Sequence, residues 1–530
     1  MTAGIPVREK LSAAAGVLIA FAFLILLRLT FAENGENEVD CFYHVRIAME
    51  GWNVFASQTF PAMTLSTWSE CFADKELLFH LLLGWVQNTV LALGLPEMPF
   101  HIPNLFFLLL ILLAFALAGI RYRIRGLCLL IPFLFCVCPF FTFRSMMLRP
   151  HLLAIALMLF SCVVYPSIRS LKDCWKALLL GMVFAWGYSN PHFLLLSAGS
   201  FALASLRKDW KRGVLLFGGT VVGLLFGFLL HPQCPNTFIN WKIQCIDVPL
   251  LLFLSKDLLP LGAELTYSGF FIVTHTVFFS IPLCVLFLLN LGLSVWLLIR
   301  KREVFFRPEI LAMILLGVLT QIGFLSAFRF IEYAMPFNLL LFGVLYSRIV
   351  RIPRRHRRLT CLLFAALLSL GTWYVCVYLQ NGEDTFVNRP VEHLAKWFAS
   401  FGNTVPKNLV IGNLNWSDFP PLYYALPQMR YLCGLDPTFG FIYKKDITLK
   451  MIKFADRKLK IKPNALAELI GTPLFFVGPN DYRLAKRMYE SGFRMIYLGT
   501  DGWLFTSLGT LNRKAGKPTA KSGVSPENDK

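Results

Sequence analysis

Residues 33–76 hold eight carboxylates, Glu33, Glu36, Glu38, Asp40, Glu50, Glu70, Asp74 and Glu76, against two bases, Arg46 and Lys75. Within "DCFYHVR" (40–46), Asp40, Tyr43 and His44 fall at i, i+3 and i+4, so a helix would turn them to one side. Further along, polar clusters interrupt apolar runs: Arg144, Arg149 and His151 in "RSMMLRPH", Asn190 and His192 in "WGYSNPH", His231 in "LHPQCPN", Glu264 in "KDLLPLGAELT" and Arg329 in "FRFIEY". Together these residue types fit one chemistry. A guanidinium holds a phosphate through two charge-assisted bonds without losing its charge. A carboxylate takes a proton from an attacking hydroxyl, or ligates a hard divalent cation such as Mg or Mn. Asp40, Asp74 and Glu76 are therefore the catalytic candidates. Tyr43, His44, Arg144, Arg149, His151, Asn190, His192, His231, Glu264 and Arg329 are the substrate-binding candidates. No CxxC pair or other metal-ligand spacing assigns a metal site.

The elements that position these residues must lie in a membrane. With 56% hydrophobic, 15% aromatic and 15% charged residues, 530 residues carry too much apolar surface for a soluble core. The formal charge of +20 sits in short clusters between apolar runs, which reads as topology rather than nucleic-acid binding. Those clusters are "RYRIR" (121–125), "SIRSLKDCWK" (167–176), "LRKDWKR" (206–212), "IRKREVFFR" (299–307) and "SRIVRIPRRHRR" (347–358). Placing all five on the cytoplasmic side, with an uncleaved N-terminal anchor over Leu11–Phe31, predicts a membrane all-α bundle of about eleven transmembrane helices. The acidic first loop, 33–100, then lies outside. For the later basic clusters to keep their side, the apolar stretch 77–94 must not cross. Its Glu76, His80, Gly84 and Gln87 stripe predicts an interfacial helix, as does the stretch from Asp40. Six of the nine histidines, at 44, 80, 151, 192, 231 and 275, then gather at the outer rim, where tolerance alone would have spread them over both.

After the last span the pattern alternates: "NLVIGN", "RYLCGL" and "PLFFVG" read as strands, "DYRLAKRMYESG" as a helix, and "MIYLGTDGWLFTSL" as a hairpin with an Asp-Gly turn. The expected organisation is a transmembrane module over 1–380, a small extracytoplasmic α/β domain over 381–511, and a disordered tail over 512–530. The thirteen cysteines lie mostly in apolar runs; Cys41 with Cys71, or Cys234 with Cys245, are the pairs whose loops could bridge in an oxidising compartment.

One span, a long acidic outer loop with "DCFYHVR", two interfacial helices and then "PFFTFRS" (139–145) closing the third span: this plan resembles the GT-C superfamily of membrane glycosyltransferases, over roughly residues 10–350. "WGYSNPHF" (186–193) and "GNLNWSDFPPLYYALPQMRYLCGLDPTFGF" (412–441) look like patterns of uncharacterised bacterial members. The resemblance implies a multi-pass inner-membrane enzyme with a cytoplasmic N-terminus. It would transfer a sugar, with inversion, from a polyprenyl-phosphate-linked donor to a lipid, glycan or protein acceptor outside. It also implies an essential acid near the end of the first span, which falls on Asp40. "RSMMLRPH" lacks the acid that follows "RS" in oligosaccharyltransferases, so Arg149 and His151 would supply fixed positive charge in place of a metal. No WWDYG-type peptide-reading motif is present, which argues against protein N-glycosylation. A lipid-linked saccharide transporter or flippase, and an inactive scaffold on the same plan, are the competing readings.

Overall fold

The computed structural model describes residues 7–31, 39–95, 100–254, 277–349, 357–386, 391–402 and 405–508. Glu33, Glu36, Glu38, Lys256, Asp257, Glu264, His275 and the tail from 512 lie outside the described residues.

Among the described residues, seven helices are long and apolar enough to cross a membrane: Val7–Thr30, His101–Arg121, Trp210–Leu229, Ile281–Arg300, Pro308–Ser326, Phe328–Ile349 and Leu362–Gln380. An eighth crossing is made if Leu127–Cys136 and Pro139–Met146, bent by 80°, form one broken span. Pro139 explains the bend: it opens the second helix and forces Cys138 before it into extended backbone (φ −126°, ψ 101°). Three further apolar helices are shorter: His151–Val164, Cys174–Gly187 and Leu194–Leu206, of 13 or 14 residues, where eleven spans would need each to cross. A perpendicular crossing takes about 20. Leu77–Ala92, with 16 residues, packs against the Asp40–Glu50 helix. On the last long helix Leu362, Leu363, Leu367, Leu370 and Trp373 stay exposed, a surface suited to hydrocarbon.

Small residues set the closest helix contact. Gly219, Gly223 and Gly227 recur every fourth residue, and a Cβ on Gly223 would lie 2.1 Å from the Leu178 carbonyl oxygen. The Trp210–Leu229 and Cys174–Gly187 helices therefore meet backbone to backbone, and Trp186 donates its indole N–H to the Gly227 carbonyl at 2.6 Å. This fixes the loop that carries Asn190 and His192.

The basic clusters converge on one end of the bundle. Arg212 donates to the Ile168 carbonyl at 2.7 Å, Arg348 to Tyr122 at 3.2 Å and Lys301 to Arg348 at 3.0 Å. Arg207 stacks on Phe306, 4.6 Å from its centroid. Apolar helices joined by short basic turns have this arrangement available only if the turns share a side.

Five strands form the C-terminal sheet: β1 (Val410–Asn413), β2 (Arg430–Tyr431), β3 (Leu474–Val477), β4 (Arg494–Gly499) and β5 (Gly502–Thr506), in the order β2-β1-β3-β5-β4. β2, β1 and β3 run parallel; β5 is antiparallel to β3 and to β4. The hairpin turns at Asp501-Gly502, and Gly502 takes φ 136°, open to glycine. The acidic first loop extends this sheet. Thr64 and Leu65 donate their N–H groups to the Tyr431 and Leu432 carbonyls, both at 2.7 Å, so the domain is sewn to the loop that bears the acids.

Candidate active site at the mouth of the bundle

Opposite the basic end, the acidic first loop meets the starts and ends of the bundle helices. Asp40 begins the Asp40–Glu50 helix but does not cap it: Val39 holds the N-cap position with no side-chain hydrogen bond. The Asp40 carboxylate instead pairs with the Arg149 guanidinium, which stands just before the His151–Val164 helix. Pro150 at that helix start holds Arg149 at the rim. Both side chains are about one-eighth exposed, 13% for Asp40 and 12% for Arg149, and so remain within reach of a ligand.

One turn along, His44 passes its Nδ1 to His80 Nε2 at 2.9 Å, and His80 Nδ1 meets Asp74 Oδ2 at 2.7 Å. With His80 donating to Asp74, His44 Nδ1–H donates to His80, and His44 Nε2 becomes the basic end of the chain. Burial first, then the neighbouring His80 and Arg149, hold His44 well below the usual histidine range, so it is neutral near pH 7. Asp74 is locked by its surroundings. Gln233 accepts its backbone N–H at 2.6 Å, and His231 Nε2 donates to its carbonyl at 3.0 Å. The Gln233 N–H donates in turn to His231 Nδ1 at 3.1 Å, which fixes that ring in its neutral tautomer. Tyr43 is buried among His44, Trp68, His80 and Phe419, and burial raises its hydroxyl far above its ordinary range.

The sequence reading passed over Lys75. Its ammonium donates to Gln244, stands 5.8 Å from the Trp68 ring centroid and 5.6 Å from that of Phe439, and lies 4.0 Å from Glu76. Glu76 is buried, which raises its carboxyl, while Lys75 opposes the shift. Across the interface Asp436 feels both Lys75 and Asp40 and is raised by burial; it also caps the Pro437–Tyr443 helix through the Thr438 N–H at 2.8 Å. Asp40, Arg149, Lys75, Glu76 and Asp436 thus surround one mouth. The signal for Lys75 was its isolation, one of two bases in an acidic loop.

A second group lies deeper. Arg144 is 2% exposed and gives its Nε to Glu332 at 2.8 Å, and His151 Nε2 donates to the Arg144 carbonyl at 3.1 Å. Arg329 is within electrostatic reach of Glu332 and Tyr188. Asn190 accepts from the Cys245 thiol at 3.3 Å, and His192 packs its ring on Phe193, 4.9 Å between centroids. Glu264 lies outside the described residues. Cys71, Cys234 and Cys245 carry no disulfide, so neither the Cys41–Cys71 nor the Cys234–Cys245 bridge forms.

A divalent cation finds no matching donor set: among the described residues no three His, Cys, Asp or Glu side chains converge, and Asp40 and Asp74 are committed to Arg149 and His80.

No protein-family model and no curated protein sequence matches the chain. Its fold is similar to that of the oligosaccharyltransferase AglB of Archaeoglobus fulgidus in complex with an inhibitory peptide and a dolichol-phosphate. That match has a TM-score of 0.60 and 11% identity, over 94% of this chain and 74% of that one. The structure of the same archaeal enzyme with Zn and sulfate matches at TM-score 0.59 and 12% identity, over 93% and 73%. ArnT of Cupriavidus metallidurans bound to undecaprenyl phosphate matches at TM-score 0.56 and 12% identity, over 95% and 98%. This chain is a multi-pass membrane protein that shares its fold with AglB and ArnT.

Proposed function

We propose that the chain transfers a sugar, with inversion, from a polyprenyl-phosphate-linked donor to an acceptor on the outer face of the membrane. The observation that carries this reading is the Asp40–Arg149 pair at a rim shared with Lys75. The acceptor hydroxyl loses its proton to Asp40 as its oxygen bonds to the anomeric carbon. The bond from that carbon to the phosphate oxygen breaks, and the electron pair leaves with the polyprenyl phosphate. Arg149 and Lys75 receive that departing charge, and preorganised cations there lower the barrier because they act where charge develops. They do so as fixed charges. Asp74 and His80 act through His44, holding its ring beside Asp40; Glu76 sets the position of Lys75. On this reading the basic end of the bundle is cytoplasmic, Leu77–Ala92 lies in the interface, and the sheet domain is outside. The solved relatives with dolichol-phosphate and with undecaprenyl phosphate support the choice of lipid.

The test is release of polyprenyl phosphate from a lipid-linked sugar by membranes containing the wild-type chain or Asp40→Asn at equal protein level. A general base contributes roughly 10²- to 10⁴-fold, and a loss of that order is expected. Undiminished turnover by the variant would remove Asp40 from the mechanism. Uptake of the lipid-linked sugar into sealed vesicles without chemical change would favour a flippase instead.

A further inference from the structure

The C-terminal domain contains a cavity of about 510 Å³, inside the roughly 300–1,000 Å³ span of small-molecule sites. It opens at the carboxyl ends of the three parallel strands. Asn415 and Trp416 follow β1, Cys433 follows β2, and Asp481 and Arg483 follow β3; Asp456 and Arg457 close the far wall. The strand order β2-β1-β3 means the chain leaves β1 on one side and returns past it to β3 on the other. In an open α/β sheet that reversal parts the flanking loops and leaves a crevice where ligands bind. The crevice is held in shape: Asp418, just after β1, is buried and accepts the Gly478 N–H after β3 at 3.1 Å. A Cβ on Gly478 would lie 2.3 Å from the Asp418 carboxylate, so the two loops meet closely.

We propose that this crevice binds a short glycan segment. Two guanidiniums, Arg457 and Arg483, are matched by two carboxylates, Asp456 and Asp481, so the lining carries no net charge to select a phosphate or a nucleotide. What it offers is the half-buried Trp416 indole, an apolar face for the C–H side of a sugar ring, ringed by planar acceptors and donors that suit pairs of neighbouring hydroxyls. The crevice also adjoins the mouth of the bundle. Pro437 lines it, and the preceding residue, Asp436, feels Lys75 and Asp40. Saccharide binding stands on the crevice alone; that the saccharide is the acceptor rests on the transfer reading.

Saturation-transfer NMR on the full chain in detergent tests this, with mannotriose, chitotriose and a galacturonate trimer as probes and AMP as the anionic contrast. The expected result is saturation of at least one trisaccharide, reduced five-fold or more in Trp416→Ala and separately in the surface variant Arg483→Ala. Melting temperature and stabilisation by undecaprenyl phosphate should be unchanged in both. The proposal is overturned if no trisaccharide is saturated, if saturation survives both variants, or if AMP is the probe whose signal they remove. A transfer assay on the wild-type chain separates the two readings: trisaccharide binding without any transfer activity sinks the transfer reading and leaves this one standing.

Discussion

Asp40 and Arg149 stand 109 positions apart in the chain, yet the carboxylate of one pairs with the guanidinium of the other at the rim of the helix bundle. The pair joins the acidic first loop to the start of the His151–Val164 helix. If it holds donor phosphate and acceptor proton in one place, its two halves act as a unit. Asp40→Asn and Arg149→Gln should each cost about 10²-fold or more in turnover, and the double variant should cost far less than the product. A multiplicative loss would mean that the two groups serve separate steps.

Arg144 and Glu332 form a different kind of pair, 2% and 0% exposed, and removing one partner leaves the other charge buried and less compensated. Breaking a buried pair costs on the order of 3–5 kcal/mol. Glu332→Gln should therefore lower the melting temperature and the yield of folded protein, and Arg144→Met with Glu332→Leu together should recover much of both. A melting temperature unmoved by the single change would contradict the burial.

The carboxyl of Asp418 is pushed up to about 7 by burial, against the Gly478 N–H that favours its charged form. A folded-state acid raised above its unfolded value keeps a proton that the unfolded chain has lost. Stability from this group is thus greatest at low pH and declines as pH rises from about 4 to about 7, with no further change above. Asp418→Asn should flatten that slope and raise stability at pH 8 by up to a few kcal/mol, because an amide oxygen can still accept from Gly478. Thermal melts from pH 5 to 8 check it; parallel curves for the two proteins would refute it.

Gly223 admits no side chain against Leu178. Gly223→Leu should separate the two helices, free Trp186 from Gly227 and lower the melting temperature by about 5 °C or more. Gly218→Ala, where nothing lies within reach of a Cβ, should do neither.

How much of this was legible beforehand depends on the range of the interaction. The apolar runs, the basic turns and the strands "NLVIGN" and "PLFFVG" are local patterns, and they reappear as helices, one basic end, β1 and β3. The bend at Pro139 and the short helices after His151 depend on how neighbours pack, which hydropathy does not record. In the site, the shared face of Asp40 and His44 followed from helical spacing. The Asp74–His80 bond did not, because Asp74 precedes its helix and reaches His80 only through a turn held by Gln233 and His231. Lys75 gave no motif at all; its partners Trp68, Gln244 and Phe439 come from three separate segments.

The position of the lipid phosphate decides between the proposed mechanism and any other. Native mass spectrometry of the purified chain with undecaprenyl phosphate reads this directly, comparing wild type with Lys75→Ala and Arg149→Ala and with Lys211→Ala at the opposite end. Binding weakened ten-fold or more by each of the first two changes and untouched by the third is the predicted result. Equal binding by all four proteins, or loss only in Lys211→Ala, would contradict it.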